Sequence, residues 1–320
     1  MIVDVVTLGE ALIDFVPTVN GVSLAEAPAF KKAPGGAPAN VAAGLAKLGV
    51  QCAFLGKVGE DAFGEFLKQT LDEVGVNTQG LVFSKQARTA LAFVSLQADG
   101  EREFMFYRHP SADMLYAPDE VATALISDAK VFHLGSISLI DEPSRSATLA
   151  GLKTAKNNDL LISYDPNLRP ALWQDETAAR EGILSVWGQA DIIKVSEEEL
   201  AFLTGLEEID QGVDALWFEG LRLMVVTLGK GGCRYFTPNF RGLMPGFQVD
   251  AVDTTGAGDG FVAGLLRGLL RHPNADDDEV RLREVCRYAN AVGAITTTRR
   301  GAIPALPTGQ QVRDFLKENH

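Results

Sequence analysis

Short apolar runs recur through the second half of the chain. Residues 131–134, 160–164, 192–195 and 223–227 are each four or five residues long and predict buried strands, with helices between them. Strands that alternate with helices predict a mainly parallel sheet with helices on both faces, which is a three-layer α/β/α fold.

The first part of the chain begins with the same alternation. A first strand is predicted from Val3 to Leu8, with Asp14 near its end. The glycine- and proline-rich segment 34–40 then opens a helix from Val41 to Leu48, which Gly49 ends. A strand near 52–55 and a helix near 65–74 follow.

Two segments interrupt this alternation, at about 11–33 and 86–110. The second contains strand-like residues 89–94 and 103–107, joined by Asp99-Gly100, a strong hairpin signal. Because neither segment has a core of its own, we interpret both as a small β lid inserted into a single domain that spans residues 1–320.

Polar residues follow five of the predicted strands: Asp14, Asp165, Lys194, Thr227 and Asp253. In a parallel sheet, ligands bind beyond the carboxyl ends of the strands. The pattern therefore predicts a binding site at that edge.

Composition narrows the class of protein. The chain is 46% hydrophobic, and no apolar run approaches the roughly 18 residues of a membrane span. The first residues lack a basic segment and a cleavage site, so we expect a cytoplasmic protein without a signal peptide. Three widely spaced cysteines indicate reduced thiols. A net charge of −13 argues against nucleic-acid binding but leaves room for a local phosphate pocket.

Residues 252–261 form the most informative stretch. Three glycines and an alanine at a predicted helix start leave backbone N–H groups uncovered, which favours a bound anion. Asp259 lies in the same first turn, where it either caps the helix or acts as a base for an attacking hydroxyl beside a phosphate.

A dinucleotide-binding protein is the competing class. Gly258-x-Gly260-x-x-Ala263 matches the relaxed dinucleotide fingerprint. The match lies near the C-terminus, however, and places an aspartate where a pyrophosphate would have to approach. The chain has no P-loop motif and no protein-kinase catalytic loop.

Two motifs carry a family resemblance. Residues 253–259 (DTTGAGD) and 35–42 (GGAPANVA) resemble the C-terminal and N-terminal signatures of the ribokinase-like (PfkB) sugar kinases, in the right order and separation. Residues 9–17 and 107–115 are similar to fructokinases. The resemblance implies a ribokinase-like fold and transfer of the γ-phosphate of ATP to a sugar hydroxyl.

The resemblance also implies roles for individual residues. The N–H groups of Gly256, Ala257 and Gly258 would form an anion hole, while Asp259 takes the proton from the sugar hydroxyl. Catalysis would also involve Arg108 at the end of a lid strand. The residues implied in sugar binding are Asp14, Gly35, Gly36, Asn40, Phe104, Phe106, Arg108, Arg169 and Asp259.

The implied nucleotide site is more dispersed. Its residues are Asn167, Lys194, Thr227, Gly229, Gly232, Gly256, Gly258 and Asn290. The family's Mg²⁺-linked N-x-x-E pattern aligns with Ser196–Glu199, where serine replaces asparagine, and leaves Glu199 to organise metal-bound water. A potassium site would use mostly backbone atoms of Asp253, Thr255, Thr296, Arg299, Gly301 and Ala305, the last being serine in some relatives.

We therefore predict an ATP- and Mg²⁺-dependent sugar kinase, with fructose the expected substrate. The alternatives within the family are 2-keto-3-deoxygluconate and a riboside. A non-catalytic sugar sensor and a dinucleotide oxidoreductase are alternatives of other classes. The lid strands have exposed edges and an apolar face, so we expect a homodimer joined through the lid.

Overall fold

The computed structural model describes residues 3–19, 21–96 and 102–319, with the backbone alone described at 96 and 102–104. The strands are β1 (Val5–Leu8), β2 (Leu12–Pro17), β3 (Phe30–Gly35), β4 (Cys52–Gly59), β5 (Asn77–Ser84), β6 (Ala90–Leu96), β7 (Arg102–Tyr107), β8 (Val131–Leu134), β9 (Leu161–Tyr164), β10 (Ile192–Ser196), β11 (Leu223–Thr227), β12 (Gly232–Phe236) and β13 (Arg241–Pro245). The helices are α1 (Ala37–Lys47), α2 (Ala62–Glu73), α3 (Thr123–Ser127), α4 (Ser144–Asn157), α5 (Glu176–Leu184), α6 (Glu197–Thr204), α7 (Ile209–Leu216), α8 (Ala257–Arg271), α9 (Glu279–Thr297) and α10 (Gly309–Glu318).

The main sheet has nine strands in the order β13-β12-β11-β10-β9-β8-β1-β4-β5. Pairing from β5 to β11 is parallel, and β12 and β13 add antiparallel strands at one edge. The predicted mainly parallel sheet is confirmed. Within the described residues, no helix is long and apolar enough to cross a membrane.

Two cores cover the two faces of this sheet. Successive residues of a strand point to opposite faces, so Val225 and Val226 belong to different cores. The first core packs α1, α2, α8 and α9 against the sheet, and the second packs α4 to α7. Both faces are buried, as the continuous apolar runs of the parallel strands require.

A second sheet of four strands, in the order β3-β2-β6-β7, stands apart from the first. The predicted hairpin is present as the antiparallel pair β6–β7, but its Asp99-Gly100 connection lies outside the described residues. Phe15 and Phe93 stack with ring centroids 4.9 Å apart, and Phe30 and Tyr107 meet the Phe93 ring edge-on. This aromatic cluster joins all four strands on one face of the small sheet.

Three local predictions were wrong. Asp14 lies within β2 of the small sheet, because β1 ends at Leu8 and the chain then crosses to the second sheet. Asp253 does not follow a strand: β13 ends at Pro245, and the N–H group of Asp253 donates to the carbonyl of Thr297. Helix α1 begins at Ala37 rather than Val41, because the first turn of a helix tolerates proline.

Candidate active site

A cavity of about 500 Å³ lies between the small sheet and the carboxyl ends of the main strands. It brings together most of the predicted site residues: Asp14, Gly36, Asn40, Phe106, Asn167, Arg169, Lys194, Glu199, Thr227, Gly229, Asp253, Thr255, Gly256, Gly258, Asp259 and Gly301. Parallel strands end together at one edge, which places residues distant in sequence around one space.

Asp259 is buried in the first turn of α8. Its Oδ2 accepts a hydrogen bond of 2.8 Å from the Asn40 amide, and its Oδ1 accepts one of 3.3 Å from the Asn167 amide. Burial raises the pKa of Asp259 from 3.8 to about 6, although the Asn40 hydrogen bond acts in the opposite direction. The carboxylate is therefore oriented by two amides and is a stronger base than an exposed aspartate.

Gly256 is the N-cap of α8 and has a positive φ of 77°. A Cβ atom there would lie 2.6 Å from the Cβ of Ala302, so the packing excludes a side chain. At Gly258, an added Cβ would lie 3.3 Å from Nζ of Lys194, which places that ammonium beside the helix start. The N–H group of Ala257, predicted to belong to the anion hole, instead donates to the carbonyl of Thr254 at 3.2 Å. The helix dipole, the glycines at the start of α8 and a lysine thus converge where an anion would bind.

Lys194 is buried in an ion pair with Asp165, with Nζ 3.0 Å from Oδ2. Burial alone would lower the pKa of Lys194, but the charges of Asp165 and Glu199 outweigh it and raise the pKa. The ammonium therefore stays charged at neutral pH. Asp165 was placed at this edge by the sequence but was not assigned to the site.

Asp14 reaches the cavity from the small sheet. Burial raises the pKa of Asp14 to about 7, with Arg169 opposing this and Asp259 reinforcing it. A Cβ at Gly35 would lie 2.2 Å from Oδ2 of Asp14. Glycine at position 35 thus leaves the space that the Asp14 carboxyl group occupies.

Glu199 joins two loops at the cavity wall. Its Oε1 accepts from Leu168 N–H at 2.7 Å, and its Oε2 accepts from Ser196 N–H at 2.8 Å. Ser196 in turn caps α6 by accepting from Glu199 N–H, so the pair forms a capping box. Each carboxylate oxygen retains a lone pair for a metal-bound water, which is compatible with the predicted role.

Glu10 was missed as a site residue. Its Oε1 accepts from Ala37 N–H at 2.9 Å and so caps α1, whose N-cap Gly36 has no side chain. Burial raises the pKa of Glu10 to about 7. The signal available in the sequence was a carboxylate directly after the first strand, at Gly9-Glu10.

Other predicted residues do not line the cavity. Arg108 is buried, and its Nε donates to Asp113 at 3.0 Å. The Asn290 amide donates to the carbonyls of Met244 and Pro245. The backbone of the same two residues packs directly against Gly232, where a side chain would not fit. The remaining residues outside the lining are Gly35, Ala257, Thr296, Arg299 and Ala305, and the side chain of Phe104 lies outside the described part.

The predicted potassium loop is organised by Asp253. Its Oδ1 accepts from the N–H and hydroxyl groups of Thr255, and its Oδ2 accepts from Gly301 N–H at 2.9 Å. The Thr296 hydroxyl donates to the carbonyl of Val292. These contacts gather residues 253–255 and Gly301 around the Asp253 carboxylate, and the potassium site stays a prediction. No cluster of three or more His, Cys, Asp or Glu side chains suited to a metal occurs in the described residues.

Carboxylates dominate the cavity lining. Among the lining residues that the structure describes, seven are acidic (Glu10, Asp14, Glu197, Glu198, Glu199, Asp253 and Asp259) and two are basic (Arg169 and Lys194). A polyanion entering this cavity would meet a net negative wall away from the helix start. Bound cations would therefore favour its binding.

Comparison with known proteins identifies the class. Residues 3–309 match the pfkB family of carbohydrate kinases, and the chain belongs to that family. It is a phosphotransferase that acts on a sugar hydroxyl. The chain is 58% identical over 316 residues to "Probable fructokinase-4" of Arabidopsis thaliana, a match covering 98% of this chain and 97% of that protein.

Solved structures give the same fold. Fructokinase with bound ATP from Xylella fastidiosa is 35% identical, with a TM-score of 0.88 and coverage of 98% of both chains. A double mutant of fructokinase from Vibrio cholerae O395, bound to fructose, ADP and potassium ion, is 35% identical, with a TM-score of 0.85 and the same coverage. The predicted family, fold and enzyme class are confirmed, and the sensor and the oxidoreductase are set aside.

Proposed function

We propose that this enzyme transfers the γ-phosphate of ATP to the 6-hydroxyl of D-fructose. The observation that carries this proposal is Asp259, a buried carboxylate held by Asn40 in the first turn of α8, at the helix end where the dipole favours an anion. A base and an anion site within one helical turn suit in-line transfer of a phosphoryl group to a hydroxyl. Identity of 58% to a protein named as a probable fructokinase supports the choice of sugar.

The chemical step needs positioning and charge stabilisation. The fructose oxygen forms a bond to the γ-phosphorus as the bond from that phosphorus to the leaving oxygen of ADP breaks, and the hydroxyl proton passes to Asp259. The N–H groups at the α8 start stabilise the negative oxygens of the transferring group. Lys194, beside Gly258, adds a positive charge at the same place.

Two buried oxygens support sugar binding by the amides. Oδ1 of Asn40 and Oδ1 of Asn167 are buried and have no hydrogen-bond partner within the structure. Buried acceptors of this kind are costly unless a ligand or water satisfies them. We assign them, with the carboxyl group of Asp14, to the hydroxyl groups of the sugar.

The acidic lining supports the predicted cations. Mg²⁺ would neutralise ATP beside the seven carboxylates, with Glu199 holding its water, and potassium would occupy the carbonyls of the Asp253 loop. Potassium in the related fructokinase from Vibrio cholerae supports the second assignment. Equal turnover in sodium-only, potassium-only and cation-depleted buffers would count against it.

The lid supports a homodimer. Met105 and Tyr107 on its edge strand β7 are 41% and 57% exposed, and Tyr107 belongs to the aromatic cluster of the small sheet. A second copy of this sheet would cover both residues and the open edge. Light scattering that shows only monomer at micromolar concentration would contradict this.

The cytoplasmic location and the role of Arg108 stay predictions.

A coupled ADP-release assay tests the substrate. We expect the highest kcat/KM for fructose in a panel that also contains ribose, adenosine, 2-keto-3-deoxygluconate and aminoimidazole riboside. Arg169 lines the cavity and suits an acidic sugar, which keeps 2-keto-3-deoxygluconate as the second candidate. A preference for any other compound in the panel would overturn the assignment to fructose.

A further inference from the structure

Lys47 is a half-buried lysine at the end of α1 that the kinase mechanism above does not use. Its ammonium donates to the carbonyl of Ile303 at 2.7 Å and to that of Leu306 at 2.8 Å. Among the described residues, no carboxylate lies within ion-pair distance of it. The ammonium is therefore held by two backbone carbonyls of one loop, while burial and the like charge of Arg299 in that loop lower the pKa of Lys47.

That loop, residues 299–306 (the closing loop), packs against residues 253–259, the turn that carries the proposed base (the catalytic turn). Its Gly301 N–H donates to Oδ2 of Asp253 at 2.9 Å. Its Ala302 packs so closely on Gly256 that a Cβ added there would lie 2.6 Å from the Ala302 Cβ. Gly301 and Ala302 also line the active-site cavity.

Helix α1 thus reaches the catalytic turn in two ways. Asn40, on the buried side of α1, donates directly to Asp259. Lys47 lies seven residues further along, which is about two helical turns, and so projects from nearly the same side. Its contact with the turn passes through the closing loop.

We propose that Lys47 is a positioning residue for phosphoryl transfer, holding the closing loop so that Ala302 and Gly301 fix Gly256 and Asp253 at the anion site. This inference rests on the proposed kinase function. Loss of the ammonium frees the carbonyls of Ile303 and Leu306, and the loop then holds the start of α8 less firmly. Because anion stabilisation depends on that geometry, the loss lowers kcat more than it weakens substrate binding.

The alternative is a lysine that only stabilises the end of its helix. Lys156 provides a control at a second helix end, because it lies in the last turn of α4, is exposed, and donates to a single carbonyl, that of Gln189, at 3.5 Å. The variants are Lys47→Met, which removes both hydrogen bonds and the charge, Lys47→Gln, which keeps an amide donor, and Lys47→Arg, which keeps the charge. Lys156→Met tests the general cost of losing a lysine at a helix end.

Steady-state kinetics and hydrogen exchange of peptides covering the closing loop are measured on the full-length variants. We expect kcat to fall about tenfold in Lys47→Met, with KM for fructose and ATP changed by less than about threefold. We expect faster exchange in the closing loop of the same variant. Lys47→Arg should recover most of both properties, Lys47→Gln should be intermediate, and Lys156→Met should match the wild type.

Three results would overturn the inference: a kcat for Lys47→Met within twofold of the wild type, unchanged exchange in the closing loop, or no recovery in Lys47→Arg. If Lys47→Met does not fold, kcat is compared between Lys47→Arg and Lys47→Gln. Equal kcat values in these two variants would reject a positioning role for Lys47. Wild-type turnover of fructose in the same assay tests the proposed function separately. Hydrogen exchange in the closing loop does not depend on the substrate. It therefore tests whether Lys47 stabilises that loop even if the enzyme acts on a different sugar.

Discussion

The two sides of the cavity are built differently. The proposed sugar side presents side chains, namely the carboxylates of Asp14 and Asp259 and the amides of Asn40 and Asn167. The proposed phosphate side presents mainly backbone, from the glycines at the α8 start and from Gly229, whose φ is 53°. Lys194 adds a basic side chain at that helix start.

The difference reflects the ligand that each side is proposed to hold. A sugar offers hydroxyl groups in many directions, and oriented carboxylates and amides distinguish them. A phosphate is an anion that backbone N–H groups and a helix dipole bind without side chains. We therefore expect activity to be lost on the sugar side when a side-chain functional group is changed. On the phosphate side, we expect activity to be lost when a side chain is added to a glycine.

The largest effect is expected for Asp259→Asn. The change removes the base, and we expect kcat to fall by roughly 10²-fold or more. The fold should persist. Oδ1 of Asn40 has no hydrogen-bond partner, so the Asn40 amide can turn over and accept from the new amide at position 259. Because burial raises the pKa of Asp259, ionisation of this carboxyl group costs stability at neutral pH. The variant should therefore unfold at an equal or higher temperature than the wild type at pH 8. Near-normal turnover would show that Asp259 is not the base.

Gly256→Ala tests the backbone side. The added Cβ would lie 2.6 Å from Ala302 and displace the α8 start, so we expect kcat to fall by roughly 10- to 100-fold. Gly205→Ala is the control, because Gly205 has a similar φ of 72° at the end of α6 and nothing within 4 Å of an added Cβ. Both variants carry backbone strain. Equal activity in the two would remove the proposed dependence on the geometry at Gly256.

The dependence of kcat/KM on pH tests whether Asp259 is the base. Asp259 must be ionised to accept a proton, and its pKa is about 6. We expect kcat/KM to fall by about tenfold per pH unit below pH 6 and to level off above it. The pKa of Asp14 is about 7, so the profile of Asp14→Asn shows which group is responsible. Loss of the acidic limb in that variant would assign the limb to Asp14 instead.

The smallest effect is expected where the chain departs from the family pattern. Ser196→Asn restores the family residue, and both residues are good N-caps, so stability should change by less than about 0.5 kcal/mol. Turnover at saturating Mg²⁺ should stay within about twofold, because the cap that holds Glu199 persists. Ser196→Ala, which removes the cap, should cost about 1 kcal/mol in denaturant unfolding. A large gain in Mg²⁺ affinity for Ser196→Asn would mean that the serine weakens a direct metal contact.

The sequence predicted the main strands and the glycine turn before α8 well because their signals are local. Apolar runs near 192–195 and 223–227 became β10 and β11. Asp14 was harder to place, because the first strand was predicted to end at Leu8 but nothing in residues 9–15 shows that the next strand belongs to a second sheet. The partners of Asn290 were not predictable either, since they belong to a strand end 45 residues away.

The sequence by itself determined the alternation of strands and helices, the glycine turn at 256–258 and the presence of Asp259 in the turn that follows. These depend on residues close together in the chain and on the conformational freedom of glycine. Only the tertiary structure decided that Asn40 meets Asp259 across 219 residues and that Glu10 caps α1. The attachment of Lys47 to the closing loop is of the same kind. Such contacts depend on how helices pack on a sheet, and no local pattern of residue types specifies that packing.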